Sequence, residues 1–204
     1  PWLSYRDIEI GMCPIRALRV AYTGELGWEL HHPIEMQNYL LDILLSSGEE
    51  FNLKLVGARA QNWLRQEKSY KAFGSDLGRD AGPFESKLSR FVDINKNFLG
   101  KDALLKRNTD VSCVTLLIDG PKDIDPWGRE ALYNETEEVM LGRLTSAGYS
   151  VHFKRSIGIG YVKSSFSEVG TMLRIKIDDK FWNAEIVRDS PYDPQNERII
   201  DRAQ

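Results

Sequence analysis

The chain has 204 residues, 42% hydrophobic and 28% charged, a balance that predicts a folded protein with a core and excludes disordered and fibrous classes. Its formal net charge of −3 leaves no basic stripe for a phosphate backbone, so we expect no nucleic-acid partner. No apolar run approaches the roughly 18 residues of a membrane span. We therefore expect a soluble chain without a membrane partner, in the cytoplasm or, in a eukaryote, the mitochondrial matrix.

Cysteine and histidine usage predicts no metal site and no disulfide framework. Cys13 and Cys113 are far apart and lack metal-ligand spacing, so both are predicted to be small buried side chains. His31, His32 and His152 have no Cys or carboxylate pattern around them that matches a metal site. Because the first residue is Pro1 without a leader pattern, we expect a piece of a longer chain.

The segment from Cys13 to Leu30 is predicted to form a β-hairpin. Within it, Tyr22 to Leu30 is predicted to form two short strands joined by a turn between glycines. Side chains alternate along a strand, so Trp28 and Leu30 should share one face while Glu29 shares the other with Gly27 and His31. Glu29 is therefore expected to point away from the core.

Glu29 has two interpretations. A carboxylate fixed on a strand is an acceptor-only fork, suited to a ligand edge with two parallel N–H donors, such as a pterin or a guanidinium. Alternatively, Glu29 lies on the solvated face of an edge strand or pairs with a nearby Lys or Arg.

Two helices are predicted next. The first runs from Pro33 to Ser47 and stops at Gly48. The second runs from Val56 to about Tyr70, and Glu67 falls on its apolar stripe. The expected buried positions of the first helix are Ile34, Leu40, Leu41, Leu44 and Leu45, and those of the second are Val56, Ala60, Trp63 and Leu64.

Charged residues of the second helix need partners. A buried carboxylate is costly without a donor, so Glu67 is expected to bond Lys71 at i+4. Arg59 lies one turn before Trp63, where its guanidinium could project toward a cleft. An ion-pair network of Arg59, Arg65 and Glu67 that anchors the helix is the alternative to a ligand role.

The rest of the chain is predicted to change from helices to strands. Short helices are expected over Pro83–Leu88 and Gly100–Arg107. From Val111 onward, six short β-rich runs with glycines between them predict a small antiparallel barrel or sandwich. We place the boundary near Asn108, giving domains of residues 1–108 and 109–204, and assign no chemical residue to the second.

Motifs of common enzyme classes are absent from the sequence. Gly158 and Gly160 form a G-x-G, but Lys163 takes the place of a third glycine and no helix signal follows, so a dinucleotide-binding loop is excluded. No P-loop and no G-x-S-x-G nucleophile motif occurs.

Longer strings carry a family resemblance. They are YTGELGWEL from Tyr22, GARAQNWLRQEK from Gly57, GSDLGRDAGPFES from Gly74, FLGKDAL from Phe98, GRLTSAGYS from Gly142, IGIGYV from Ile157 and SPYDPQNER from Ser190. Together they resemble the aminomethyltransferase family, which includes the glycine-cleavage T-protein. Leu26, Trp28, the PWGREALY stretch and the terminal PYDP are more similar to the folate-binding carboxyl-terminal region of flavin-dependent sarcosine and dimethylglycine dehydrogenases.

The resemblance implies an α+β fold: the C-terminal part of a folate-binding domain, an antiparallel sheet with helices, followed by an all-β barrel. It also implies tetrahydrofolate as the bound molecule. Glu29 would grip the amino and ring N–H edge of the pterin, Tyr22 would lie beside the same ring, and Arg59 would line the cleft. Folate would accept a one-carbon unit from a small methylated amine or an aminomethyl donor.

The resemblance places other parts of the machinery upstream of this chain. These are an aspartate near the reacting nitrogen and, in the dehydrogenase branch, the FAD domain; a free-standing T-protein would instead depend on a lipoyl carrier protein. We accordingly assign no catalytic residue here and expect weak or no turnover by this chain alone. Two alternatives remain: a regulatory or scaffold module that has kept the fold and lost the chemistry, and a truncated T-protein.

Overall fold

The computed structural model describes residues 1–107, 110–120 and 124–200. The chain forms two compact units, one of residues 1–64 together with the segment that begins at Asp193, the other of Arg65–Tyr192. The boundary predicted near Asn108 lies outside the described residues and stays a prediction. No helix in the described ranges is both long and apolar enough to span a bilayer.

The first unit contains an antiparallel sheet with the strand order β1-β2-β3 among its described residues. Its strands are β1 (Tyr5–Ile10), β2 (Cys13–Leu18) and β3 (Glu29–His31). Leu18 pairs with Glu29 and Arg16 with His31, which confirms that the two ends of the predicted hairpin pair. The two short strands expected within Tyr22–Leu30 are wrong, because residues 22–26 are bends and Gly24 has a φ of +83°.

A small core lies on one side of this sheet. Cys13, Ile15, Ala17 and Leu40 are buried together, and Leu30 and Leu44 are among the partly buried side chains that pack against them. The prediction of a buried Cys13 is confirmed. Leu40 comes from the helix that follows the sheet, so the helix contributes the cover over the buried face.

That helix begins with a 3-10 turn at Ile34–Met36, continues as α1 (Gln37–Gly48) and ends with a second 3-10 turn at Glu49–Phe51. Gly48 is not the stop that we predicted. The helical path ends at Asn52, whose left-handed φ of 55° lets the Leu53 N–H donate to the Gly48 carbonyl at 2.9 Å. A side chain at Gly48 would lie 2.6 Å from Leu53, so glycine serves close packing there.

The expected apolar faces of the two helices are only partly buried. In α1, Leu40 is buried, but Ile34 and Leu41 are 75% and 42% exposed. The second helix, α2, spans Ala58–Glu67 and is shorter than predicted at both ends. Val56 precedes it and is exposed. The buried residues at the end of α2 and just beyond are polar instead: Arg65, Gln66, Glu67, Lys68 and Ser69.

In the second unit, α3 (Lys101–Lys106) confirms the predicted helix near Gly100. The helix expected over Pro83–Leu88 is wrong. Residues 83–87 form turns followed by a 3-10 turn at Ser89–Phe91. The left-handed φ of 56° at Lys87 interrupts any helical path at that point.

Six strands of the second unit close into an antiparallel barrel in the order β4-β7-β6-β5-β8-β9, which confirms the barrel prediction over the described residues. They are β4 (Val111–Ile118), β5 (Ala131–Tyr133), β6 (Met140–Ser150), β7 (Arg155–Lys163), β8 (Met172–Ile177) and β9 (Lys180–Val187). Inward-facing aliphatic side chains, including the fully buried Val114, Leu132, Val162, Ile175 and Ile186, fill its interior.

A buried polar network holds the second unit's entry segment against β6. The Arg65 guanidinium donates to Asp76 Oδ2 at 2.6 Å, and both side chains are at most 2% exposed. The Glu67 carboxylate accepts from the Ser150 hydroxyl, so the predicted Lys71 partner is wrong. Lys71 lies 3.8 Å from Asp189 instead. The structure thus explains why polar residues at the end of α2 can be buried.

Candidate functional site

The sheet of the first unit has a buried face and an outer face. The buried face carries Cys13, Ile15 and Ala17 of β2. Side-chain alternation and the strand register put rows of outer-face residues across the strands. Tyr5, Leu18 and Glu29 form one row, and Asp7, Arg16 and His31 form the next.

Glu29 lies on this outer face, as its position between Trp28 and Leu30 predicted. Its side chain is 52% exposed, and its Oε2 lies 3.2 Å from His31 Nε2. The pairing with Lys or Arg that we gave as an alternative does not occur among the described residues. The other alternative, a solvated carboxylate on an edge strand, fits the position of β3 at the edge of the sheet.

Arg16 is the cation nearest in register, and a different carboxylate holds it. Its Nε and Nη2 donate to the two oxygens of Asp7 at 2.8 and 3.0 Å, and its guanidinium stacks 5.0 Å from the Tyr5 ring centroid. The hydrogen bond from Arg16 lowers the pKa of Asp7 below its ordinary value. Because Asp7 occupies Arg16 in a bidentate pair, the Glu29 carboxylate keeps acceptor positions for another donor.

A cavity of about 960 Å³ opens on the same face, and we call it the outer cavity. Its walls include Asp7, Arg16, Leu18 and His31. Glu29 is not one of the lining residues given for it, but its register partner Leu18 and its hydrogen-bond partner His31 both are. The carboxylate therefore adjoins a space of ligand size.

Trp28 and Leu30 line a second cavity, of about 560 Å³. The Arg19 guanidinium lies 4.8 Å from the Trp28 ring centroid. It also donates to the backbone carbonyls of Gly27 at 3.1 Å and Ile199 at 2.9 Å. These contacts fix the loop that precedes β3, so Glu29 begins a strand whose entry is anchored.

The structure does not join the other two predicted site residues to Glu29 through a hydrogen bond or an ion pair. Tyr22 is half-buried in the bent segment before β3. Arg59 is exposed in the first turn of α2, with its guanidinium 5.2 Å from the Trp63 ring centroid. His31 is the one such partner of Glu29 among the described residues. The folate roles of Glu29, Tyr22 and Arg59 stay predictions.

Metal and flavin sites were also sought. The described part of the chain contains no cluster of three or more His, Cys, Asp or Glu side chains placed to hold a metal. Gly158 and Gly160 lie inside β7, where a side chain at Gly160 would come within 2.5 Å of the Arg143 carbonyl. Close strand packing thus explains these glycines, and they do not form a site for FAD.

Sequence reasoning missed the contact between Glu29 and His31 and the cavity beside it. The same-face prediction contained the signal for the first, because residues i and i+2 of a strand are neighbours. It missed the cavity because β1, whose side chains help to line it, was not predicted as a strand.

Comparisons with known proteins agree with the strings that carried the resemblance. Residues 1–96 match the family model described as the GCVT N-terminal domain, and residues 112–193 match the glycine cleavage T-protein C-terminal barrel domain. Human mitochondrial dimethylglycine dehydrogenase is 35% identical over 92% of this chain and 22% of its own length. An aminomethyltransferase of Caldanaerobacter subterraneus is 31% identical over 83% of this chain and 45% of its own length.

A solved structure shows the same fold. The glycine cleavage system aminomethyltransferase T from Bartonella henselae superposes with a TM-score of 0.81, covering 95% of this chain and 53% of that chain, at 22% identity. The chain thus spans about a fifth of the dehydrogenase and about half of the aminomethyltransferases. From both family models and these relatives, the chain belongs to the aminomethyltransferase family of the glycine-cleavage T-protein and dimethylglycine dehydrogenase.

Proposed function

We propose that this chain is the tetrahydrofolate-binding portion of a one-carbon transfer enzyme of the sarcosine and dimethylglycine dehydrogenase kind. Two results support the proposal. The chain belongs to a family whose members include aminomethyltransferases and dimethylglycine dehydrogenase, and its identity to the human dehydrogenase, 35%, exceeds the 31% found with the Caldanaerobacter aminomethyltransferase.

The observation that carries the proposal is the Glu29 carboxylate. It begins a strand, is half-exposed, has His31 as its polar partner among the described residues, and adjoins the outer cavity. A carboxylate accepts through two oxygens and about four lone-pair positions, so the contact with His31 leaves room for two further donors. The amino group and ring N–H of a pterin present two such donors side by side.

The chemical contribution that we propose for this chain is orientation. A folate nitrogen is itself the nucleophile toward an aminomethyl or iminium carbon, so the protein must hold the two reactants in near-attack geometry. Glu29 fixes the donor edge of the pterin. Tyr22 lies beside the ring, and Arg59 lines the folate cleft. We assign no proton transfer and no catalytic residue to this chain.

The donor that we propose is a small methylated amine or an aminomethyl compound. In a dehydrogenase, FAD in a part of the larger protein outside this chain would supply the oxidation that makes the amine reactive, and no step here is routed through it. A truncated T-protein that receives its aminomethyl group from a lipoyl carrier is the second candidate, which the 31% identity with an aminomethyltransferase favours. We propose the cytoplasm as the compartment, or the mitochondrial matrix in a eukaryote.

Calorimetric titration with tetrahydrofolate tests the proposal. Glu29→Gln keeps the side-chain shape but replaces an acceptor oxygen with a donor group, so binding should weaken by roughly 1.5–3 kcal/mol. Glu35→Gln is the matched control, because Glu35 is an exposed acid in the 3-10 turn before α1. Equal affinity of the wild type and Glu29→Gln, or no binding by the wild type, would favour the scaffold alternative.

A further inference from the structure

We propose that His31 is a positioning residue that fixes the orientation of the Glu29 carboxylate for a ligand edge with two adjacent N–H donors. The inference rests on the proposed function and deepens it. The observation behind it is the 3.2 Å contact between His31 Nε2 and Glu29 Oε2 on the outer face. Both side chains are more than half exposed, so packing alone does not hold the carboxylate.

An exposed glutamate needs such a partner if it is to act as a fork. The side chain turns about three bonds, and recognition of two parallel donors requires the plane of the carboxylate to be set before the ligand arrives. A donor on one oxygen restricts that plane. Since the bond from His31 falls on Oε2 alone, Oε1 and the outward lone pair of Oε2 remain for the ligand.

No other described side chain can do this in the observed geometry. Leu18, which lies opposite Glu29 in the strand register, is apolar. Arg16 is occupied by both oxygens of Asp7. The remaining member of the row, Tyr5, stacks with that same Arg16. His31 is therefore the polar neighbour that Glu29 has among the residues described.

His31 also joins the carboxylate to the outer cavity. Its side chain lines that cavity, whereas Glu29 lies one row away. A planar ligand gripped at its donor edge by Glu29 would extend past the imidazole into this space. The ligand class is thus a planar heterocycle with an amino group next to a ring N–H, and loss of that amino group should remove most of the benefit of His31.

The test is a set of titrations of the full 204-residue chain with tetrahydrofolate and with its analogue in which a methyl group replaces the 2-amino group. His31→Ala should weaken tetrahydrofolate binding about three- to tenfold, the value of one hydrogen bond. His31→Gln keeps a side-chain N–H donor and should restore most of the affinity. His152→Ala, in the second unit, is the control of the same residue type and should bind as the wild type does.

Two further results distinguish positioning from a general structural role. His31→Ala should bring the affinities for tetrahydrofolate and the 2-methyl analogue closer together, which a loss of fold would not do selectively. In the Glu29→Gln background, adding His31→Ala should cause no further loss, because the group that His31 orients is gone.

The outcomes separate this inference from the proposed function. If Glu29→Gln weakens binding while His31→Ala binds and discriminates like the wild type, the positioning role is overturned and the proposed function stands. If Glu29→Gln and the wild type bind equally, or the wild type does not bind, the proposed function fails and the role of His31 fails with it. A loss in His31→Ala that His31→Gln does not restore also contradicts the inference.

Discussion

Replacing Asp76 should destabilise the second unit far more than replacing a surface aspartate in an equally well-formed ion pair. Asp76 Oδ2 accepts from Arg65 at 2.6 Å and from the Ala72 N–H at 2.9 Å. Its Oδ1 accepts from the hydroxyls of Thr145 and Ser146, each at 2.6 Å. Asp76→Ala removes all four acceptor contacts at once, in a position that water does not reach.

The magnitude follows from what remains unpaired. Thr145 has a second acceptor, the Ile159 carbonyl at 3.1 Å, so its loss is small. Arg65 keeps the Tyr70 carbonyl at 2.7 Å but remains a buried cation without its counter-charge. Breaking a buried pair in this way costs about 3–5 kcal/mol of the free energy of unfolding.

Urea denaturation followed by tryptophan fluorescence measures the loss. The control is Asp7→Ala, which breaks the bidentate but exposed pair with Arg16 in the first unit and should leave stability nearly unchanged. If Asp76→Ala does not fold, Asp76→Asn keeps the shape and should show a smaller loss of the same sign. A loss for Asp76→Ala no greater than that for Asp7→Ala would refute the reasoning from burial.

Two further predictions concern the second unit. Burial raises the pKa of the Cys113 thiol from its ordinary value of 9 to about 12. The neutral thiol therefore stabilises the fold in full below pH 9, and that stability should be lost as the pH rises toward 12; urea titrations at intervals across this range should show a shallower fall for Cys113→Ala, and an equal slope would refute the assignment. Gly128→Ala should be clearly more destabilising than Gly170→Ala by thermal melting. Both glycines have a φ near +90°, but only at Gly128 would a side chain come within 2.6 Å of the Ser146 backbone; equal losses would contradict this.

Local pattern predicted the barrel well, because its signal is local. Each strand of the second unit is a short run of β-branched and aliphatic residues between glycines, and such runs have few alternatives to a sheet. The strand order, with β7 between β4 and β6, depends on contacts between distant segments. No local pattern contains that information.

The misses have physical causes that can be named. The strand Tyr5–Ile10 was not predicted because most of its side chains are polar or exposed and present no buried stripe. The end of α2 was predicted with an apolar stripe, whereas Arg65 and Glu67 are buried there by partners on β6, Ser146 and Ser150. Burial of polar groups depends on those distant partners, so helix periodicity could not show it.

The candidate site was predictable in part for the same reason. Alternation along β3 placed Glu29 on the face away from the core and beside His31, because that relation spans two residues. The bidentate pair of Arg16 with Asp7, which leaves Glu29 free of a cationic partner among the described residues, depends on the register of β1 with β2. The outer cavity depends on it as well.

The most direct measurement of the central claim is a crystal structure of this chain with 5-formyltetrahydrofolate, a stable folate, bound in solution before crystallisation. The account predicts that both oxygens of the Glu29 carboxylate lie about 2.7–3.2 Å from the pterin amino nitrogen and the adjacent ring nitrogen, with His31 still in contact with Oε2. A pterin bound elsewhere, or a Glu29 side chain that faces solvent in the complex, would contradict it.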